Sequence, residues 1–162
     1  MAVECFLKFE GPDLKGEAKG MADQIDVLAW SWGASQSGTM HIATGGGAGK
    51  ANVQDLSITK WVDKASPNLM QAVIKGQGFN KATLTCRKAG GDAPVPYLTI
   101  EMEKVLITSV SIGGSGGSDQ FTENVSLNFA QYKKTYTPQK DDQTADTAVG
   151  PVGWNIRENV TT

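Results

Sequence analysis

The chain has 162 residues, with 15 Lys+Arg against 17 Asp+Glu for a formal charge of −2, and is 40% hydrophobic and 20% charged. This balance excludes a disordered or membrane-embedded protein, and the length suits one domain, 1–162, with a core that needs neither disulfide nor metal. No Lys/Arg cluster suited to neutralising a phosphate backbone occurs, so nucleic acid is not an expected partner.

Residues Val3 to Phe9 predict a strand, and Gly11, Pro12, Gly16 and Gly20 punctuate a loop after it. The start lacks a basic region followed by a long apolar run, and no stretch approaches a membrane span. The expectation is folding in the cytoplasm, with no signal peptide and no membrane insertion. Cys5 and Cys86 stand alone in apolar, strand-like contexts and read as reduced packing residues rather than a disulfide.

From Ile25 to Trp32, β-branched and aromatic residues predict one continuous strand. Its faces are Ile25, Val27, Ala29 and Ser31 on one side, and Asp26, Leu28, Trp30 and Trp32 on the other. The tryptophans mark the second face as the drier one and put Ala29 and Ser31 on a thinner, wetter face. A long loop poor in apolar residues, Gly33 to Asn52, follows. Loops of that kind are usually functional or disordered.

Strand character resumes over Val53 to Val62. Residues 66–76 predict the helix, with Ser66 as N-cap, Pro67 in the first turn and Gly76 as the stop. Leu69, Met70, Val73 and Ile74 form the stripe expected to dock on a sheet. Lys81 to Lys88 alternates as a half-exposed strand, and Tyr97 to Ile112 is a longer one. In the latter, Val105, Leu106 and Ile107 predict burial on both faces, in the core or against a neighbouring subunit. The glycine-rich turn from Gly113 to Asp119 joins it to a strand from Phe121 to Phe129 as a hairpin. Residues 138–151 read as a polar loop, and Trp154 to Arg157 as a last strand. Roughly eight strands and one helix make a β-barrel or sandwich.

Catalytic constellations are missing from this pattern. His41 is the one histidine, and no cysteine or second histidine accompanies it for a metal site. Thr44 to Ala51 imitates a phosphate-binding loop, but Thr44 stands where glycine is required. Ala51 stands where a magnesium-ligating hydroxyl is required. Asp141, Asp142 and Asp146 lack the spacing of a calcium loop. Glu101 and Glu103 share a strand face and read as part of a solvent-facing edge rather than a catalytic pair. The expectation is a non-enzyme with no cofactor.

The run Leu28-Ala29-Trp30-Ser31-Trp32-Gly33, followed by Ser35 to Gly38, resembles the haemolysin-coregulated protein (Hcp) family of type VI secretion. So do Val53 to Ser57 with Asp63 to Met70, Arg87 to Gly91, Thr122 to Val125 with Leu127 to Ala130, and Gly153 to Ile156. The likeness runs through nearly the whole chain in order. It implies a mainly β fold: a small barrel of about eight strands with one flanking helix, similar to phage tail-tube proteins. It also implies homohexameric rings stacked into the inner tube of a contractile machine, tipped by a spike trimer and wrapped by a sheath. Small effector proteins would be carried in the lumen, and the chain itself would be secreted without a signal peptide. Under this resemblance Ser31 and Ala29 are candidate lumen residues. Gly45, Gly46, Gly47, Ala48, Gly49 and Lys50 are a candidate inter-subunit or ring-stacking loop. A phage-like tail tube and a monomeric β-sandwich binding module are the competing readings.

Overall fold

Runs of alternating apolar and polar residues set the strands, because a period of two puts every second side chain on one face. In the computed structural model, residues 3–42, 47, 49–89, 91 and 94–162 are described. The strands are β1 (Val3–Glu10), β2 (Ile25–Val27), β3 (Ala29–Ser31), β4 (Ala34–Ser35), β5 (Asn52–Val53) and β6 (Leu56–Trp61). The helix α1 (Ser66–Lys75) comes next, then β7 (Gly78–Lys88), β8 (Pro96–Gly113), β9 (Thr122–Tyr136), β10 (Val149–Asn155) and β11 (Val160–Thr161).

One antiparallel sheet runs β11-β10-β9-β8-β7-β1-β2, with β6 branching from β9 and β3 pairing β6. β9 changes partner along one edge, pairing β6 through residues 122–127 and β10 through 131–136. The short β4 and β5 form a separate ribbon. The mainly β class with a single flanking helix is as expected, with eleven strands among the described residues rather than eight.

The barrel expected from the resemblance is not closed by a continuous ladder. β2 pairs only β1 and β3 pairs only β6, so the segment 25–31 spans the seam between them. The Leu28 N–H donates to the Thr59 carbonyl at 2.8 Å across that seam. The single strand predicted over 25–32 is therefore broken at Leu28, and the inward face changes there. Ile25 and Val27 are buried, not on the wetter face, while Leu28 is 46% exposed. Beyond the break Trp30 and Trp32 pack against the core.

A second change of face occurs across the long strands. Met102 and Val105 both point into the core, with Glu103 and Lys104 between them, and Lys104 takes φ +54°. At the same level Phe79 gives way to Ala82 on β7 as the inward residue. Below this corner Val105 and Ile107 are buried and Leu106 is 39% exposed, so within one chain the run is covered on one face only. The core is mainly aliphatic, with Phe9, Phe79 and Phe129 among its members; Leu7, Ile25, Leu84, Ile100 and Leu127 are fully enclosed, each contributing about 1.5–3 kcal/mol relative to exposure.

α1 starts where Pro67 fits the first turn and ends at Gly76, which adopts φ +65° and donates its N–H to the Val73 carbonyl. That left-handed stop favours glycine. Ser66 is not the cap: Ala65 occupies that position without a side-chain bond, and Ser66 turns inward. Leu69 and Ala72 form the docked stripe, whereas Ile74, expected on it, is 76% exposed. A helix of this length covers a sheet with a narrow stripe, and Ile74 lies outside it.

Candidate binding wall and assembly surfaces

On the face of β3, β6, β9 and β8 away from the core, cross-strand register lines up small side chains in two rows. Ser31 faces Ser57, Ser57 faces Ser126 and Ser126 faces Ser109. The neighbouring row is Ala29, Thr59, Asn124 and Ser111. The inward residues of the same strands, Leu56, Ile58, Val125, Leu127 and Ile107, are buried and fix which face is outward. A one-residue slip would invert that choice, so the core holds the rows in place.

The rows are knit by hydroxyl and amide groups. Ser57 Oγ and Ser126 Oγ lie 3.3 Å apart, and Thr59 Oγ1 donates to Asn124 Oδ1 at 2.8 Å. Asp55 accepts from Thr108 Oγ1 and from Asn128 Nδ2, each at 2.9 Å. The two rows carry no charged side chain, and Ala29 and Ser31 are exposed at their β3 end. The two rows thus offer hydrogen-bond donors and acceptors without a charge of their own, with the Asp55 carboxylate and the exposed Leu106 beside them.

Trp32 begins a different surface. Its ring meets Tyr132 edge-on at 4.7 Å, and its Nε1 donates to the Gln54 carbonyl at 2.9 Å. Val149, Val152 and Tyr136 stand exposed around the same groove. At the tip of the β8–β9 hairpin Ile112 and Phe121 are also exposed, and any side chain on Gly114 would collide with the Phe121 ring. A third groove is walled by Val3, Leu28 and Trp61 and edged by Glu4, Glu17 and Asp26. Partial burial, then the nearby Glu4 and Asp63 carboxylates, raise Asp26 above the usual aspartate value.

Of the loop residues singled out by sequence, Gly45, Gly46 and Ala48 lie outside the described residues. Gly47, Gly49 and Lys50 are exposed, and the Gly47 N–H donates to Thr39 Oγ1 at 3.1 Å. The loop extends from the β4–β5 ribbon, and its apolar residues Met40 and Ile42 are 82% and 50% exposed. Glu101 and Glu103 are not an edge pair. They lie on a strand flanked by β7 and β9, with Glu101 bridged to Lys81 at 3.3 Å and Glu103 accepting from Gln131. No group of three or more potential metal ligands occurs among the described residues.

Sequence reasoning singled out Ala29 and Ser31 and did not name the residues on β6, β8 and β9 that strand register sets in line with them. The signal for them was present in each strand alone, as small polar residues alternating with buried aliphatics.

Residues 6–136 match the family described as "Type VI secretion system effector, Hcp". The chain is 57% identical over 162 residues to protein hcp1 of Pseudomonas aeruginosa, covering 99% of each. Among solved structures, one described as a type six secretion system protein superposes with TM-score 0.91 at 30% identity, over 99% of this chain and 100% of that one. Hcp1 from Salmonella typhimurium superposes with TM-score 0.78 at 30% identity over 100% of both chains. The chain belongs to the Hcp family of type VI secretion proteins.

Proposed function

We propose that this chain, acting as one domain over 1–162, is the ring-forming subunit of the type VI inner tube. Six copies close into a ring, rings stack, and the β3-β6-β9-β8 wall faces the lumen. The observation that carries this reading is the pair of small, uncharged rows ending at Ala29 and Ser31. A lumen lined this way lets folded cargo approach the wall closely, and its many weak hydrogen bonds suit small effector proteins of varied surface.

The exposed apolar residues support self-association. Ile112 and Phe121 on the β8–β9 hairpin, and Val149, Val152 and Val160 on β10 and β11, give separate sticky surfaces. A closed ring needs two different surfaces of that kind on each subunit. The β4–β5 loop, with Gly47, Gly49 and Lys50 and the exposed Met40 and Ile42, is assigned to contact between subunits or rings. A spike trimer at the tip, a surrounding sheath, assembly in the cytoplasm and secretion with the cargo complete the role. The part played is structural and carrying, not catalytic.

Light scattering of the purified protein tests the first step. A mass near six times 17.2 kDa is expected. A monomer at micromolar concentration would remove the ring, and with it the lumen.

A further inference from the structure

Cys5 and Cys86 sit directly opposite each other on the antiparallel pair β1 and β7. Both are enclosed, at 9% and 1% exposure, and their sulfurs lie 2.6 Å apart as free thiols. Directly opposed residues of an antiparallel pair have Cβ atoms about 4.5–5.5 Å apart, which meets the range a disulfide spans at its upper end. The register is pinned on both sides of the pair. Leu7 opposes Leu84 in the core, and Arg87 Nε donates to Glu4 Oε2 at 3.0 Å on the other face.

We propose that Cys5 and Cys86 close into a cross-strand disulfide when the chain meets an oxidising medium, stapling β1 to β7. The oxidant is a small-molecule disulfide such as oxidised glutathione. The Cys5 thiolate attacks one of its sulfurs, forming a mixed disulfide and releasing one thiolate. Cys86 then loses its proton and attacks the Cys5 sulfur, closing the bridge and releasing the second thiolate. Two protein thiols are oxidised by two electrons, and one small disulfide is reduced to two thiols.

The order of attack follows from the environment. Cys5 is the more exposed residue of the two and lies two residues into β1. Its thiol is pulled below the usual cysteine value, chiefly by the hydrogen bond from Cys86 and further by Trp30. The same bond, with burial, pushes the Cys86 thiol up. In a reducing cytoplasm the pair stays as two packed thiols, and outside it the bridge persists. Local opening of β1 admits the oxidant to the enclosed Cys5, and the chemistry stands whether or not the chain forms rings.

The test is to equilibrate the folded protein with oxidised and reduced glutathione, quench with acid, unfold, alkylate and map peptides by mass. The expected result is paired loss of both alkylatable thiols, a Cys5–Cys86 linked peptide, and a Tm raised by about 5–10 °C. Cys86→Ala should stop at a glutathione adduct on Cys5, with no rise in Tm. Two thiols still alkylatable in the folded wild type, under conditions that oxidise the unfolded chain, would overturn the proposal. So would cysteine links found only between chains. Both readings come from the wild type, so they hold even where the alanine variant folds poorly.

Discussion

Lys60 and Glu123 face each other across β6 and β9 on the core side of the sheet, and their side chains are 0% and 2% exposed. Lys60 Nζ also reaches Asp63 Oδ1 at 2.9 Å and Ser66 Oγ at 3.2 Å. Ser66 Oγ donates to Glu123 Oε1 at 2.6 Å and accepts from the Asp63 N–H at 3.0 Å. One cation, two carboxylates and a hydroxyl therefore tie the first turn of α1 to the two strands that carry the small-residue wall.

Removing the cation alone leaves two carboxylates facing each other without compensation. Lys60→Met is expected to destabilise the fold by about 3–5 kcal/mol, because an unpaired buried charge is far worse than no charge. Urea denaturation checks it, and adding Glu123→Leu to Lys60→Met should recover part of the loss. A midpoint unchanged from wild type in the single variant would show that the pair is not buried in solution.

Gly153 is buried on β10, and an added Cβ would overlap the Tyr132 carbonyl on β9. Gly153→Ala should push the strands apart and cost about 1–3 kcal/mol. Hydrogen exchange should speed up selectively at β10 and β11 while β1 and β7 keep their protection.

Ser31 is exposed at the end of its row, so a long charged side chain there enters space rather than the core. Ser31→Arg is expected to keep the mass of the assembled protein unchanged while reducing co-purified effector about tenfold or more, since a wrongly placed charge at a polar wall readily exceeds the 1.4 kcal/mol that a factor of ten requires. Loss of assembly in this variant would instead place Ser31 at a subunit contact.

Asp26 has a folded-state pKa above the ordinary 3.8. The folded state then binds more protons than the unfolded state through that window, so stability falls as pH rises across it. Asp26→Asn should raise the urea midpoint slightly at neutral pH, with the gain fading as pH drops toward 3.8. The effect is small because the side chain stays exposed and screened.

Much of the architecture could be read from local pattern. Pro67 and Gly76 bracket the helix, and the glycine-rich turn after Gly113 joins the two longest strands, because each of these positions imposes its conformation locally. The break at Leu28 was not legible. The residues from Ile25 to Trp32 alternate without interruption and both faces carry apolar groups, so only the change of partner from β1 to β6 decides which face goes in. Lys104 hid a second inversion, because a lysine gives no sign that its backbone will take φ +54°. Ser31 and Ala29 were visible as small residues opposite two tryptophans. Their rows were not, since Ser57, Ser109 and Ser126 are brought together only by strand register. Ile74 was misplaced because the helix stripe is narrower than its apolar residues suggest.

The pairing of β1 with β7 also shapes the birth of the chain. Glu10 pairs with Lys81 and Val3 with Lys88, so β1 waits some eighty residues of synthesis for its β7 partner, and before that only the three-residue β2 can cover its other edge. At ordinary elongation rates that wait is roughly 4–16 s. Throughout it the core around Leu7 and Phe9, which the finished fold encloses, is incomplete, and the edge of β1 that β7 will take is unpaired. The open edge of this strand is thus a place where a second chain could pair in register until β7 emerges to fill it.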